Sequence, residues 1–396
     1  MTVTRVAAQV LTPESDASRL ASLDAFRGFT IAAMMIVNNP GDWKQLYGPL
    51  GHAPWHGWTF TDLVFPFFLF IAGVAMTLSL VRRAPDTSAA GLTWHLMRRG
   101  LIIISIGLAL NALPSFEWAS LRLPGVLQRI GLCVMLAAPI VVYATSWRTV
   151  AAWALGLMAA YAVIQLGIPV PGADGVQRTG SLLPGQDVGA WLDRWLMEGH
   201  LWRQSRTWDP EGLLSTLPAL ASLLAGALTG QWLATARKPL QHTWAMAWAG
   251  LACLLTGALL DSVLMPINKN LWTPSYVMLS TGWALLGFAL CHGLLDARPD
   301  EAARRRWRRW CLPLIIYGMN ALFLFALASL LGRLLSFVKW TGADGSITSL
   351  RAWLYAPIAA LPVTPPTASL IYATGFMLVM FGVAWWMWQR RWFVKV

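Results

Sequence analysis

About ten apolar runs, most of them long enough to cross a bilayer, decide what this chain can fold into. Inside ~30 Å of hydrocarbon every backbone amide must find its partner within the segment, and an apolar run of about 20 residues does so as an α-helix. The runs fall near 25–41, 60–81, 98–113, 125–144, 149–166, 212–234, 243–261, 274–295, 312–335 and 368–388. They predict an all-α membrane protein, a polytopic bundle of about ten transmembrane helices. A further apolar stretch at 349–361 is short and runs into Pro362, Pro365 and Pro366. It reads as an interfacial or re-entrant segment.

Composition agrees. Hydrophobic residues make up 57% of the 396 and charged residues 12%, where a soluble domain carries roughly a quarter charged. Many of the 24 tryptophans stand at the ends of the runs, where indoles settle at a membrane interface. The net charge of +12 comes from short clusters between runs, a pattern of loop signals rather than of nucleic-acid binding. With both termini cytoplasmic, Arg82, Arg83, Arg98, Arg99, Arg237, Lys238, the Arg304–Arg309 run, Arg390 and Arg391 lie inside. That is about eighteen Lys and Arg inside against about nine outside. Residues 1–20 lack an apolar signal core, so they form a cytoplasmic segment and the first spanning helix targets the chain. Residues 21–396 then form one membrane domain, with an exoplasmic loop at about 167–211. The four cysteines show neither metal spacing nor a disulfide framework.

Polar residues in or beside such helices are costly and point to function or to internal pairing. Asp24 and Arg27 stand three apart at the start of the first run, with Asn38 near its end. His52 and His56 follow in a Pro- and Gly-containing loop before Asp62. Gln128 and Arg129 open the fourth run, Asp209-Pro210-Glu211-Gly212 the sixth, and Asn268-Lys269-Asn270 precede the eighth; Asn320 lies inside the ninth. Each has a structural reading. Asp24 and Arg27 suit a local ion pair; Thr61 or Asp62 suits a helix cap, as does Asp209 with Glu211. Arg129 suits snorkelling or a buried anion. Pro54 breaks any helix that would bring His52 and His56 to one metal, and a general base or an interfacial structural histidine remain the two readings.

Several blocks together resemble the heparan-α-glucosaminide N-acetyltransferase family, bacterial branch. They are Arg19-Leu20-Ala21-Ser22-Leu23-Asp24-Ala25-Phe26-Arg27-Gly28, His52-Ala53-Pro54-Trp55-His56-Gly57-Trp58, Asp62-Leu63-Val64-Phe65-Pro66, Leu123-Pro124-Gly125-Val126-Leu127-Gln128-Arg129, Asp209-Pro210-Glu211-Gly212, Pro266-Ile267-Asn268-Lys269-Asn270 and Gly318-Met319-Asn320. The resemblance implies a transmembrane acyltransferase of a bacterial inner membrane, using cytosolic acetyl-CoA and no metal. It places the active-site histidine on His52 and the active-site asparagine on Asn38, with family arginines on Arg19 and Arg27. His56 stands where relatives commonly have asparagine, and Ala328 where the animal enzyme has a histidine. The animal enzyme's large luminal N-terminal portion has no counterpart, which favours a small amino sugar as acceptor.

The residues accommodate that chemistry. Arg27 to Asn38 is eleven residues, or ~16 Å of helix, about the reach of a pantetheine arm. Arg19, Arg27, Arg98, Arg99 and Arg129 are the candidates for the cofactor's phosphates. His52 is the candidate general base, Asn38 the oxyanion donor, and Asp62, Asp209, Glu211, Asn268 and Lys269 the candidate groups around the sugar. An amino-sugar permease and an O-acetyltransferase of an envelope glycan remain alternatives. The expected partners are acetyl-CoA, an amino sugar and membrane lipids, with a homodimer left open.

Overall fold

A computed structural model describes residues 20–341 and 345–394. Arg19, one of the expected phosphate ligands, lies outside the described residues. The long helices are α1 (Ala21–Asn38), α2 (Phe60–Arg83), α3 (Ala89–Ala112), α4 (Val126–Tyr143) and α5 (Trp147–Gly167). After the short α6 (Val188–Met197) come α7 (Thr216–Leu233), α8 (Pro239–Val263) and α9 (Pro274–Leu295). Then follow α10 (Glu301–Trp310), α11 (Leu312–Met319), α12 (Ala321–Phe337), α13 (Leu350–Ala359) and α14 (Pro365–Gln389). Two small hairpins, β1 (Val170–Pro171) with β2 (Gln177–Arg178) and β3 (Lys339–Thr341) with β4 (Ile347–Ser349), are all the strand among the described residues.

Helix α2 shows how local sequence sets an element and packing keeps it. Thr59 and Asp62 form a capping box at its start, satisfying two of the amides a helix leaves unpaired. Arg82 and Arg83 in the last turn oppose the helix dipole. In between, Leu69, Phe70, Ile71, Val74 and Met76 are buried, because α2 packs between α7, α1 and α9. The α2–α7 contact is close enough to need glycine on both sides. A Cβ on Gly73 would stand 2.0 Å from the Leu223 carbonyl oxygen, and one on Gly226 2.0 Å from that of Phe70. Small residues let helices approach in this way where lipid supplies no hydrophobic drive between them. The other principal pairs are α3 with α4, α8 with α9 and α1 with α11.

Among the described residues six helices (α2, α4, α5, α8, α9 and α14) are long and apolar enough to cross a membrane, seven spans if the bent pair α11–α12 counts as one. The other expected spans are also helical: α1 and α7 have 18 residues and α3 has 24. Asp24, Arg27 and Asn38 in α1, Arg98 and Arg99 in α3, and Gln231 in α7 make them more polar.

Two expectations are corrected. The apolar run 312–335 is not one helix. It breaks at Asn320, where α11 and α12 meet at 81°. Asn320 is buried, and its side chain donates to the Trp392 carbonyl at 3.0 Å and accepts from the Val394 amide at 2.9 Å. It therefore anchors the segment after α14 instead of continuing a helix. The sixth run begins at Thr216 rather than at 212, so the 209–215 turn is free to do something other than cap. The stretch at 349–361 forms α13, whose ten residues rise ~15 Å and fall short of a span.

Candidate functional site

The loop between α1 and α2 folds back over the start of α2. The Thr59 hydroxyl donates to the Gly51 carbonyl at 2.6 Å and the Thr61 hydroxyl to that of Pro49 at 3.2 Å. The Gly57 amide donates to the Ile267 carbonyl at 2.7 Å, tying this loop to the turn before α9. These ties bring His52 onto Asp62, with Nδ1 2.6 Å from Oδ1. The Asp62 carboxylate is buried and also accepts from the amides of Ala53 and Thr59, both at 3.0 Å. It is thus oriented on three sides, as well as being the cap that the sequence suggested. Lys269 adds an ammonium 3.2 Å from His52 Nδ1 and 3.6 Å from Asp62. An Nδ1–H donating to Asp62 leaves the Nε2 lone pair for chemistry, and the half-exposed ring is accessible.

The turn that supplies Lys269 is itself rigid. Asn268 is fully buried; its Oδ1 accepts from the Leu271 amide at 2.9 Å, and its Nδ2 lies 3.4 Å from His56 Nδ1. Burial lowers the affinity of Lys269 for its proton, against the pull of Asp62 and Glu211.

Beside this pair lies a second charged group that the sequence did not announce. Arg122, in the α3–α4 loop, makes two bonds to Asp209, at 2.8 and 2.5 Å, and one to Glu211 at 2.5 Å. Arg129 donates to the carbonyls of Pro210 (3.1 Å) and Gly212 (2.7 Å) and to the Ser215 hydroxyl (2.5 Å), with its guanidinium over the Trp272 ring. Burial opposes charge on Arg122, and Glu211 and Asp209 overcome it, raising its hold on its proton. Burial also opposes charge on Glu211, but Arg122, Arg129 and Lys269 keep that carboxyl below its usual range.

Asp209 and Glu211 therefore do not cap α7; they are ion-pair partners that fasten the 209–215 turn. Arg129 sits with this cluster rather than with the other candidate phosphate arginines, because the turn's carbonyls need its donors. Arg122 is a basic residue on the side expected to be poor in them, and that exception was the available signal.

At the opposite end of α2 a cavity of about 270 Å³ opens between α1 and α2, lined by Asp24, Arg27, Ser79, Arg82 and Arg83 among others. Arg27 pairs with Asp24 at 3.0 Å, as its spacing predicted, and also donates to the Gly318 carbonyl at 3.2 Å. The Arg99 guanidinium lies within electrostatic range of Arg27 and Arg83, and its Nε is buried without a partner. Among the described residues of the lining three cations stand against one acid, which leaves the cavity electropositive. Arg98 points outward, exposed. Asn38, the last residue of α1, is also exposed and makes no hydrogen bond to His52 or Asp62. Among the described residues no three His, Cys, Asp or Glu side chains converge as metal ligands would.

Membrane-length helices with an Asp-oriented histidine at one end and an arginine-lined cavity at the other define a helical membrane protein with two separate polar sites. The chain belongs to the family described as heparan-alpha-glucosaminide N-acetyltransferase, catalytic, whose profile matches residues 19–257. Among curated relatives it is similar to the heparan-alpha-glucosaminide N-acetyltransferase of Mus musculus, 26% identical over 388 residues that cover 84% of this chain and 56% of that protein. The Homo sapiens protein of the same name is 27% identical over 333 residues, 71% of this chain and 49% of that one. The chain spans about half the length of these relatives. The family match takes in His52, Asp62, Arg122, Arg129, Asp209 and Glu211, and stops before Asn268 and Lys269.

Proposed function

We propose that the protein is a transmembrane N-acetyltransferase of a bacterial inner membrane, carrying acetyl from cytosolic acetyl-CoA to the amine of glucosamine or a small glucosamine-containing sugar on the far side. The observation that carries this reading is the His52–Asp62 pair at one end of α2 with Arg82, Arg83 and Arg99 at the other. Asp62 to Arg82 is twenty residues, ~30 Å of helix and about the thickness of the hydrocarbon core. Both termini are cytoplasmic in this reading, and residues from 21 onward form one membrane domain.

Arg27, Arg82, Arg83 and Arg99 hold the phosphates of the donor, their planar forks matching phosphate oxygens. The buried, unpartnered Nε of Arg99 supports that fit. From Arg27 the pantetheine arm's reach of ~16 Å along α1 brings the thioester to the level of Asn38, at the outer end of that helix. His52 Nε2 takes a proton from the sugar's ammonium, the freed amine attacks the thioester carbonyl, and as the C–S bond breaks the nitrogen's second proton passes to the departing CoA sulfur. Asp62 holds the ring and balances the imidazolium. Asn38 supplies an amide donor to the oxyanion, and Lys269, Asn268, Asp209 and Glu211 shape the acceptor's side.

The test uses sealed vesicles with radiolabelled acetyl-CoA on one side and glucosamine on the other. Labelled N-acetylglucosamine is expected from the wild type, and none from His52→Ala at equal protein level. Undiminished acetylation by His52→Ala would refute the assignment. Unmodified sugar crossing without acetyl-CoA would mark a permease, and label on an amine-free acceptor an O-acetyltransferase.

A further inference from the structure

A large cavity on the other side of α2 takes no part in this chemistry. It has a volume of about 970 Å³ and lies between α5, α7 and α8, against the face of α2 that carries Thr77 and Val81. It exists because small residues face it: Ala151 on α5, Ala225 on α7, Ala245 and Ala249 on α8. Helix α8 packs closely on α9, where Gly250 and Gly282 let the backbones approach, and stands off α7. Its outer face exposes Trp244, Trp248, Leu251 and Leu255, apolar residues suited to lipid, and Ala249 of the lining is itself exposed, so the crevice opens at the surface of α8.

On α8 the lining from Ala245 to Cys253 is apolar over eight residues, ~12 Å of helix, with Thr77, Thr229 and Thr281 on the facing helices. Half of a ~30 Å core is ~15 Å, so the crevice has the depth of one leaflet. At its mouth are Ser146, Trp147, Gln231, Trp232, Thr235 and Arg237. Trp232 Nε1 and Gln231 Oε1 are buried without hydrogen-bond partners, an arrangement that costs free energy unless something in the crevice answers them. Arg237 is the one charged residue of the described lining, held over the Trp232 ring at 4.5 Å. A CoA nucleotide would find too few cations here, and those that suit it are in the cavity on the other face of α2.

We propose that this crevice binds one anionic glycerophospholipid, an acyl chain lying along α8 and the phosphate meeting Arg237, with an ester carbonyl accepting from Trp232 Nε1 and a headgroup hydroxyl donating to Gln231 Oε1. A chain seated there fills the gap between the α8–α9 pair and the rest of the bundle. It makes that packing dependent on the lipid.

The test is native mass spectrometry of the full-length protein after incubation with vesicles of phosphatidylglycerol or of phosphatidylcholine. The wild type should retain one phosphatidylglycerol in preference to phosphatidylcholine. Arg237→Gln should reduce that preference about fivefold, the worth of one cation near a charged headgroup. Ala249→Trp should abolish retention of either lipid, with an unchanged gel-filtration profile. Ala225→Phe, on the opposite wall, gives a second reading if that variant folds poorly. No retained lipid, equal retention of both lipids by the wild type, or full retention by both filled variants would overturn the proposal. So would a second protein copy, rather than lipid, bound at the crevice.

Discussion

Replacing Asp62 by asparagine probes the reaction through a single charge. In the structure Asp62 Oδ2 accepts from the Ala53 and Thr59 amides, and Oδ1 faces His52 Nδ1 at 2.6 Å and Lys269 Nζ at 3.6 Å. In Asp62→Asn the side-chain oxygen can keep the two backbone bonds, so the loop and the start of α2 stay in place. The new NH2 group would then sit opposite His52 Nδ1 and donate to it. That inverts the tautomer: the ring proton moves to Nε2, the atom that must act as base. The hydrogen bond lost is charge-assisted, worth about 1.5–3 kcal/mol, and a misplaced general base costs about 10²–10⁴ in rate. The expected result is a fall in kcat of about 10²–10⁴, with KM for acetyl-CoA unchanged because the arginine cavity lies ~30 Å away along α2. Initial rates of labelled acetyl transfer in detergent, over a range of acetyl-CoA, measure both. Activity within about threefold of the wild type would show that His52 does not depend on Asp62. A fall confined to KM would show that the pair serves binding instead.

Three further outcomes are expected. Arg99→Gln should raise KM for acetyl-CoA about tenfold or more, the loss of one charge-assisted contact. It should leave the unliganded protein as stable or more so, since Arg99 faces Arg27 and Arg83; a lower melting temperature would mark Arg99 as structural. Asp193, buried beside the 209–215 turn, has its carboxyl pushed up to about 7 by burial, against a hydrogen bond from the Leu213 amide. Its folded form binds a proton more tightly than the unfolded form, so its contribution is full below about pH 4 and is lost as pH rises through 7. The gap of about three units sets an upper bound of about 4 kcal/mol, and Asp193→Asn should flatten the fall in melting temperature between about pH 5 and pH 8; an unchanged slope would refute this. Gly73→Leu should abolish recovery of folded protein by gel filtration, since even a Cβ there meets the Leu223 carbonyl at 2.0 Å.

Much of this architecture was legible in the sequence because the bilayer reads composition directly. An apolar run must be helical there, so the long helices and the failure of 349–361 to span followed from length and hydropathy. Local spacing was equally readable: Asp24 with Arg27, and Thr59 with Asp62, are contacts between residues three apart. The family resemblance picked out His52 and Asp62 separately, but not their contact, which needs the loop ties to Gly51, Pro49 and Ile267. Contacts between residues distant in the chain were beyond the sequence. Arg122 lies 87 residues from Asp209, and only the folded chain brings the two together. Arg129 looked like a phosphate ligand until the 209–215 turn claimed it. Asn320 looked like a polar group inside a helix, and the break appears only once the chain beyond α14 returns to meet it. Hydropathy fixes which segments enter the membrane, since each residue meets the bilayer by itself. Which charges meet depends on how the helices are arranged, and only the tertiary structure decides that.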